Sequence, residues 1–258
     1  MTVKFAIKDN VAYVTIDRPE RMNAVDQLTE EALEKIWCEI EGNKNIYCVV
    51  LTGSGEKAFS AGADMKSPGN YTGLEYWAHL SANGFGGIAL RDTLNVPVIA
   101  RVNGLALGGG FEMILGCDIV VATQDSSFGL PESRVGRLAL AGGMVLLQRQ
   151  IPEKIASGII LSGRRISASE AYQYGLVNNV VARENLDATV QSWVDDIKRC
   201  APLSVRALKD TIRNTAHMKP KEAQFYRSES LVAALVSNDS EEGVQAFIEK
   251  RPPVWSGK

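Results

Sequence analysis

Residues 96–122 read VPVIARVNGLALGGGFEMILGCDIVVA. Val96–Val102 is apolar and rich in β-branched residues, the composition of a buried strand. Asn103-Gly104 and the run Gly108-Gly109-Gly110 break the pattern, and the chain from Phe111 to Cys117 then reads as an apolar helix after a glycine-rich turn. Asp118–Ala122 is the next buried strand. Strand, glycine turn, helix and strand in succession point to an α/β fold.

Working upstream, Val3, Phe5 and Ile7 share one side of a strand, and Val11, Tyr13 and Thr15 continue beyond Asp9-Asn10 as the second arm of a β-hairpin. From Asp26 the spacing of Leu28, Ala32, Leu33, Ile36 and Ile40 predicts a helix stopped by Gly42-Asn43. Cys48–Thr52 reads as a buried strand. A small-residue stretch, Phe59–Lys66, leads to a polar loop at Ser67-Pro68-Gly69-Asn70 and then to a helical region over Thr72–Leu90, interrupted by glycines at 84, 86 and 87. Downstream, helices are expected over Met144–Gln150, Glu153–Ser162, Ser167–Gly175, Asn185–Cys200, Leu203–Thr215 and Ser240–Lys250, with a capping box at Ser167–Glu170. Strands alternate with helices early, and helices dominate the last third. The division expected is a core over 1–195 with a helical C-terminal region over 196–258, joined without a linker into one functional unit.

The chain has 258 residues, 45% hydrophobic and 22% charged, with net charge −2. That is enough to bury a full core, and too apolar for intrinsic disorder. A near-neutral balance argues against a nucleic-acid partner. No run of apolar residues is long enough to span a membrane, and the N-terminus carries no signal core, so a cytoplasmic location is expected. The four cysteines, Cys38, Cys48, Cys117 and Cys200, have no zinc-ligand spacing, so no metal site is expected and the thiols are read as free and mostly buried. H-E-x-x-H, G-x-S-x-G and P-loop patterns are absent.

Two features remain that carry chemistry. Glycines at a helix start let a ligand approach the backbone, and the first N–H groups of a helix are unpaired and carry positive partial charge. Gly108-Gly109-Gly110 offers such donors, and Ser60–Asp64 offers more after a second strand; together they suit an oxyanion. Glu112, one turn into an apolar helix, and Glu132, behind Pro131, are carboxylates in segments poor in charge. A pair of that kind serves as general base and general acid. Tight helix-to-sheet packing and surface glutamates are the plain alternatives for each.

The chain resembles the crotonase (enoyl-CoA hydratase/isomerase) superfamily. The matching pieces run in the family's order: Asp17–Ala24, Phe59–Lys66, Pro97–Ala100 with Asn103-Gly104, Gly108–Glu112, Cys117–Ile119, Phe128–Glu132, Ser162–Ile166, Tyr174–Asn178 and Phe247–Arg251. The resemblance implies a ββα superhelix core and a helical C-terminal trimerisation region. It implies an acyl-CoA thioester as substrate, so that coenzyme A is part of the substrate and no separate cofactor is needed. It implies an oxyanion hole from the N–H groups of Ala63 and Gly109, CoA lying along Ala61, Asp64, Met65 and Lys66, and a homotrimer or a dimer of trimers. Both family carboxylates are present. That favours addition of water to a 2-enoyl-CoA to give a 3-hydroxyacyl-CoA, with Glu112 activating the water and Glu132 delivering the proton, roles that are exchangeable.

The sequence departs from the family at Ala139–Leu146, where many hydratases carry Pro-Gly-Ala-Gly-Gly-Thr-Gln-Arg. Leu140 stands where glycine is frequent, beside the expected acyl pocket. Double-bond isomerisation or carnitinyl-CoA dehydration on the same scaffold is the first alternative. A non-catalytic CoA-ester-binding protein, or one that binds RNA, is the second. His79 is read as structural or pocket-lining, Asp118 as a structural hydrogen-bonding residue, and Lys219 with Lys221 as a solvated face.

Overall fold

A computed structural model describes residues 2–67 and 73–258. Met1, the expected polar loop at Pro68–Asn70 and the expected helix start at Thr72 lie outside the described residues. The elements in order are β1 (Val3–Lys8), β2 (Val11–Ile16), α1 (Gln27–Gly42), β3 (Cys48–Gly53), β4 (Ala58–Ser60), α2 (Gly73–Ala78), β5 (Val98–Val102), β6 (Leu105–Leu107), α3 (Gly109–Leu115), β7 (Ile119–Thr123) and β8 (Ser127–Gly129). Then follow α4 (Gly143–Gln150), α5 (Glu153–Ser162), β9 (Arg165–Ser167), α6 (Ala168–Gln173), β10 (Asn179–Val181), α7 (Leu186–Lys198), α8 (Pro202–Thr215), α9 (Pro220–Ala223), α10 (Glu229–Leu235) and α11 (Asn238–Glu249).

Asp9 and Asn10 both adopt positive φ, the backbone that matches a tight two-residue hairpin to strand twist, and β1 pairs antiparallel with β2. Asp26 caps α1 by accepting from the Thr29 N–H at 2.9 Å. The capping box of Ser167 and Glu170 forms as its spacing predicts. The six-stranded sheet runs β1-β2-β3-β5-β7-β10 and the four-stranded sheet runs β4-β6-β8-β9. Three successive strand pairs, β3/β4, β5/β6 and β7/β8, each place one strand in the large sheet and the next in the small one. That alternation winds the chain forward as repeated ββ turns. The central strands of the large sheet are parallel and almost fully buried, which explains their continuous apolar reading. Leu33, Trp37, Phe59, Phe111 and Phe128 fill the core between the sheets and α1 and α3.

Three expectations change. The helix expected up to Leu90 stops at Ala78, and Gly84, Gly86 and Gly87 all have positive φ, so 84–88 is an irregular turn. The three-residue strands of the small sheet escape notice in the sequence because three residues hold no readable periodicity. All four cysteines are free, as expected, but Cys38 and Cys200 are exposed.

The helical C-terminal region is tied to the core by polar contacts. Lys209 Nζ on α8 donates to Asp118 Oδ2 at 2.6 Å and to the Val96 carbonyl at 2.9 Å, and Asp118 also accepts from the Val98 N–H at 2.7 Å. Asp118 therefore has the structural role read for it. No helix among the described residues is long and apolar enough to cross a membrane.

Candidate active site

Three adjacent parallel strands of the small sheet deliver Ala63, Gly109, Glu112 and Glu132 from their C-terminal ends. Ala61–Lys66 follows β4, Gly108 and α3 follow β6, and Pro131-Glu132 follows β8. Ligands of α/β sheets characteristically sit outside the carboxyl ends of the strands.

The first loop is held from below by the 18–26 segment. The Val25 N–H donates to the Gly62 carbonyl at 2.8 Å, and the Val25 carbonyl accepts from the Asp64 N–H at 2.9 Å. In such a parallel bridge both bonds flank Ala63. The Ala63 N–H therefore points to the opposite side, where the residue is exposed. Arg18 Nη2 reaches Asp64 at 2.8 Å and Asp26 at 2.9 Å. Asp64 thus directs its carboxylate inward to Arg18 and is only 7% exposed, leaving the backbone and the exposed Met65 and Lys66 toward solvent. Ala61 is half-buried, its N–H bonded to the Met22 carbonyl at 3.0 Å.

The second loop meets the first. A Cβ on Gly62 would stand 2.9 Å from the Gly109 nitrogen, so the two turns are in contact and the Ala63 and Gly109 donors are neighbours. Gly109 is the first residue of α3, where an N–H has no intrahelical acceptor. The Phe85 ring packs onto it, 2.4 Å from where its Cβ would be, so no larger residue fits.

The two carboxylates converge on this turn. Glu112, in the first turn of α3, is 3% exposed; its Oε1 accepts from the Gly143 N–H at 2.8 Å, and the Ala141 N–H supports the same carboxylate. Burial pushes its carboxyl up to about 7, with the negative charges of Glu132 and Glu30 adding to the push. Glu132 Oε1 lies 2.9 Å from where a Cβ on Gly108 would stand. Its Oε2 is buried and has no hydrogen-bond partner among the described residues. Burial raises this carboxyl as well. A buried carboxylate oxygen with no hydrogen-bond partner among the described residues, beside a second raised carboxyl and against the turn into α3, is an arrangement suited to moving protons.

The structure therefore brings together Glu112, Glu132, Ala63 and Gly109. Leu140 is half-buried in the 139–143 segment whose next residues bond Glu112. Three neighbours of the site were not singled out from the sequence. Phe85 covers Gly109. Tyr76 on α2 has its phenol pushed up by burial and by the nearby negative charges of Glu112, Glu30 and Glu132. Glu30 on α1 accepts from the Gly86 N–H at 2.9 Å, and burial lifts its carboxyl to about 7. The signal for Glu30 is its spacing: it stands three and seven residues before Leu33 and Trp37, a carboxylate in line with a buried stripe.

Comparison with known proteins points the same way. The family described as Enoyl-CoA hydratase/isomerase matches residues 6–258. A protein of Salmonella enteritidis named carnitinyl-CoA dehydratase is 36% identical over 249 residues, covering 95% of this chain and 94% of its own. The crystal structure of enoyl-CoA hydratase from Bacillus anthracis is 33% identical with a TM-score of 0.93 over 100% of both chains. That of enoyl-CoA hydratase from Mycobacterium smegmatis is 30% identical with a TM-score of 0.90 over 99% of both. The expected crotonase-like fold is met along the chain.

Proposed function

The chain belongs to the enoyl-CoA hydratase/isomerase family, and from that premise we propose that it adds water reversibly to a 2-enoyl-CoA, forming a 3-hydroxyacyl-CoA. The observation that carries this reading is the convergence of two raised carboxyls, Glu112 and Glu132, on the turn bearing the Gly109 N–H. An isomerase moves one proton and needs one carboxylate. Addition of water needs a base for the water and an acid for the α-carbon.

In this reading the thioester oxygen accepts hydrogen bonds from the Ala63 and Gly109 N–H groups. These donors stabilise the negative charge that grows there as the enolate forms. Ionised Glu112 takes a proton from water while the water oxygen bonds to C3 and the C2=C3 electron pair moves toward the thioester. Protonated Glu132 then gives its proton to C2, and the enolate collapses back to the thioester. The proton on Glu112 returns to Glu132 through solvent. CoA lies along Ala61–Lys66, with Lys66 as the exposed cation for its phosphates and Leu140 bordering the acyl group.

A second reading is dehydration in the opposite direction on carnitinyl-CoA, favoured by the Salmonella relative. It uses the same two carboxylates. We also assign self-association, as a trimer, to the apolar residues that α10 and α11 leave exposed, among them Leu235, Phe247 and Ile248.

The test is hydration of crotonyl-CoA and longer or branched enoyl-CoAs, followed by loss of the conjugated thioester absorbance, with carnitinyl-CoA in the reverse direction. Glu112→Gln and Glu132→Gln should each lower the rate by about 10²–10⁴. Oxygen from labelled water should appear in the product. Full activity in either variant, or double-bond migration without labelled oxygen, would overturn the mechanism.

A further inference from the structure

The segment 83–91 is a keystone between α1 and the site. On one side α1 grips it: Trp37 Nε1 donates to the Gly86 carbonyl at 2.7 Å, Glu34 accepts from Asn83 Nδ2 at 3.0 Å, and Arg91 is held by Glu34 and Glu41 at 2.9 and 2.7 Å. On the other side it touches the reacting groups. The Phe85 ring packs on Gly109, the Phe85 N–H donates to the Ala141 carbonyl at 3.1 Å, and the Ala141 N–H supports Glu112. Gly84, Gly86 and Gly87 all have positive φ; the Gly86 N–H donates to Glu30 Oε1 at 2.9 Å, and the Gly87 N–H, which closes on the Gly84 carbonyl at 3.2 Å, also lies toward that carboxylate. Such a run of N–H groups is a small anion cradle.

We propose that Glu30 is a positioning residue for the hydration step: bound to the 84–87 turn through the Gly86 N–H, it fixes Phe85 against the oxyanion donor and Ala141 against the Glu112 base. The inference rests on the hydratase reading. Glu34 and Glu41 spend their charge on Arg91, whereas Glu30 has no ion-pair partner among the described residues. Its charge is felt at both Glu112 and Tyr76. The titratable groups around it are Glu34 on its own helix, Tyr76 on α2, Glu112 on α3 and Glu132 after β8. Removal of the carboxylate frees the cradle and shifts two groups that must keep their spacing, and a displacement of an ångström is enough to cost about 10²-fold in rate.

The experiment uses Glu30→Ala and the nearly isosteric Glu30→Gln in the full chain, with thermal melting to verify folding. Glu30→Ala should lose about 10²-fold in kcat with KM for the enoyl-CoA little changed. Glu30→Gln keeps an acceptor for the cradle and should retain most of kcat, but loss of the charge should move the acidic limb of kcat/KM to lower pH by roughly half a unit. An unmoved limb in Glu30→Gln, or wild-type kcat in folded Glu30→Ala, overturns the proposal. The Glu112 carboxyl is also followed without substrate, as the infrared difference between each background and its Glu112→Gln derivative. If no enoyl-CoA is hydrated by the wild type, the hydratase reading fails, and the Glu112 midpoint still decides for Glu30: a fall in Glu30→Gln supports the coupling, and an unchanged midpoint removes it.

Discussion

The Glu132 carboxylate lies over Gly108, its Oε1 2.9 Å from the place where a Cβ on that glycine would stand. Gly108 has φ 54 and ψ −127, a backbone that residues with a side chain rarely adopt. The same glycine therefore permits the turn into α3 and the approach of a carboxylate carried in from β8.

Gly108→Ala should cost about 1–3 kcal/mol in backbone strain and close contact. It should also reduce hydration by about 10²-fold, because Glu132 must move. Gly136 is the control: it too has positive φ, but nothing lies within 4 Å of a Cβ placed there. Gly136→Ala should leave the rate unchanged. Urea midpoints and steady-state rates of the two variants check both statements, and equal rates would remove the close approach as a constraint.

Stability should depend on pH through Glu112. Its carboxyl is raised from 4.5 to about 7, so between those values the folded chain holds a proton that the unfolded chain has released. The stabilisation is complete below 4.5 and declines as pH rises through about 7. Glu112→Gln should flatten the decline and gain on the wild type above this window, as read from urea midpoints on either side of it. As the proposed base, Glu112 works ionised, so kcat/KM should fall as pH drops below about 7.

Arg18 joins Asp64 and Asp26, with 13% of its own side chain exposed. Arg18→Met leaves two largely buried carboxylates without their cation, and should destabilise the chain by about 3 kcal/mol. The loop at Ala61–Lys66 should loosen with it, raising KM for CoA esters. An unchanged urea midpoint would show that the pair contributes nothing to holding the loop.

Self-association should depend on the apolar ends of the last helices. Leu235 is 76% and Phe247 86% exposed in the single chain. A charge at either position, as in Leu235→Asp or Phe247→Asp, should shift the chain to a monomer in analytical ultracentrifugation. Trimers that persist in both variants would place the contact elsewhere.

The large parallel sheet was legible because its strands are buried on both faces and therefore read as uninterrupted apolar runs at Val49–Leu51, Val98–Ala100 and Val120–Ala122. Asp26, Ser167 and Glu170 announced helix starts by local chemistry that operates over one turn. Glu112 stood out as a charge inside an apolar helix. Those are properties of neighbouring residues, and sequence by itself determines them.

What the sequence could not decide is which distant segments share one space. Gly62 meets Gly109, and Glu132 meets Gly108, only because β4, β6 and β8 hydrogen-bond side by side. Each of those strands has three residues, too few to carry a period. The turn at 84–88 looked helical because its flanks are apolar, and only its packing against α1 fixed the positive φ values that break the helix. Glu30 looked like one more acidic residue on a charged helix until that turn supplied the N–H groups to receive it. Local pattern determined the long strands and the helices, and charge-poor surroundings named the two central carboxylates. Long-range strand pairing and burial decided what faces them, because contact between remote residues is a property of the whole fold rather than of any window of sequence.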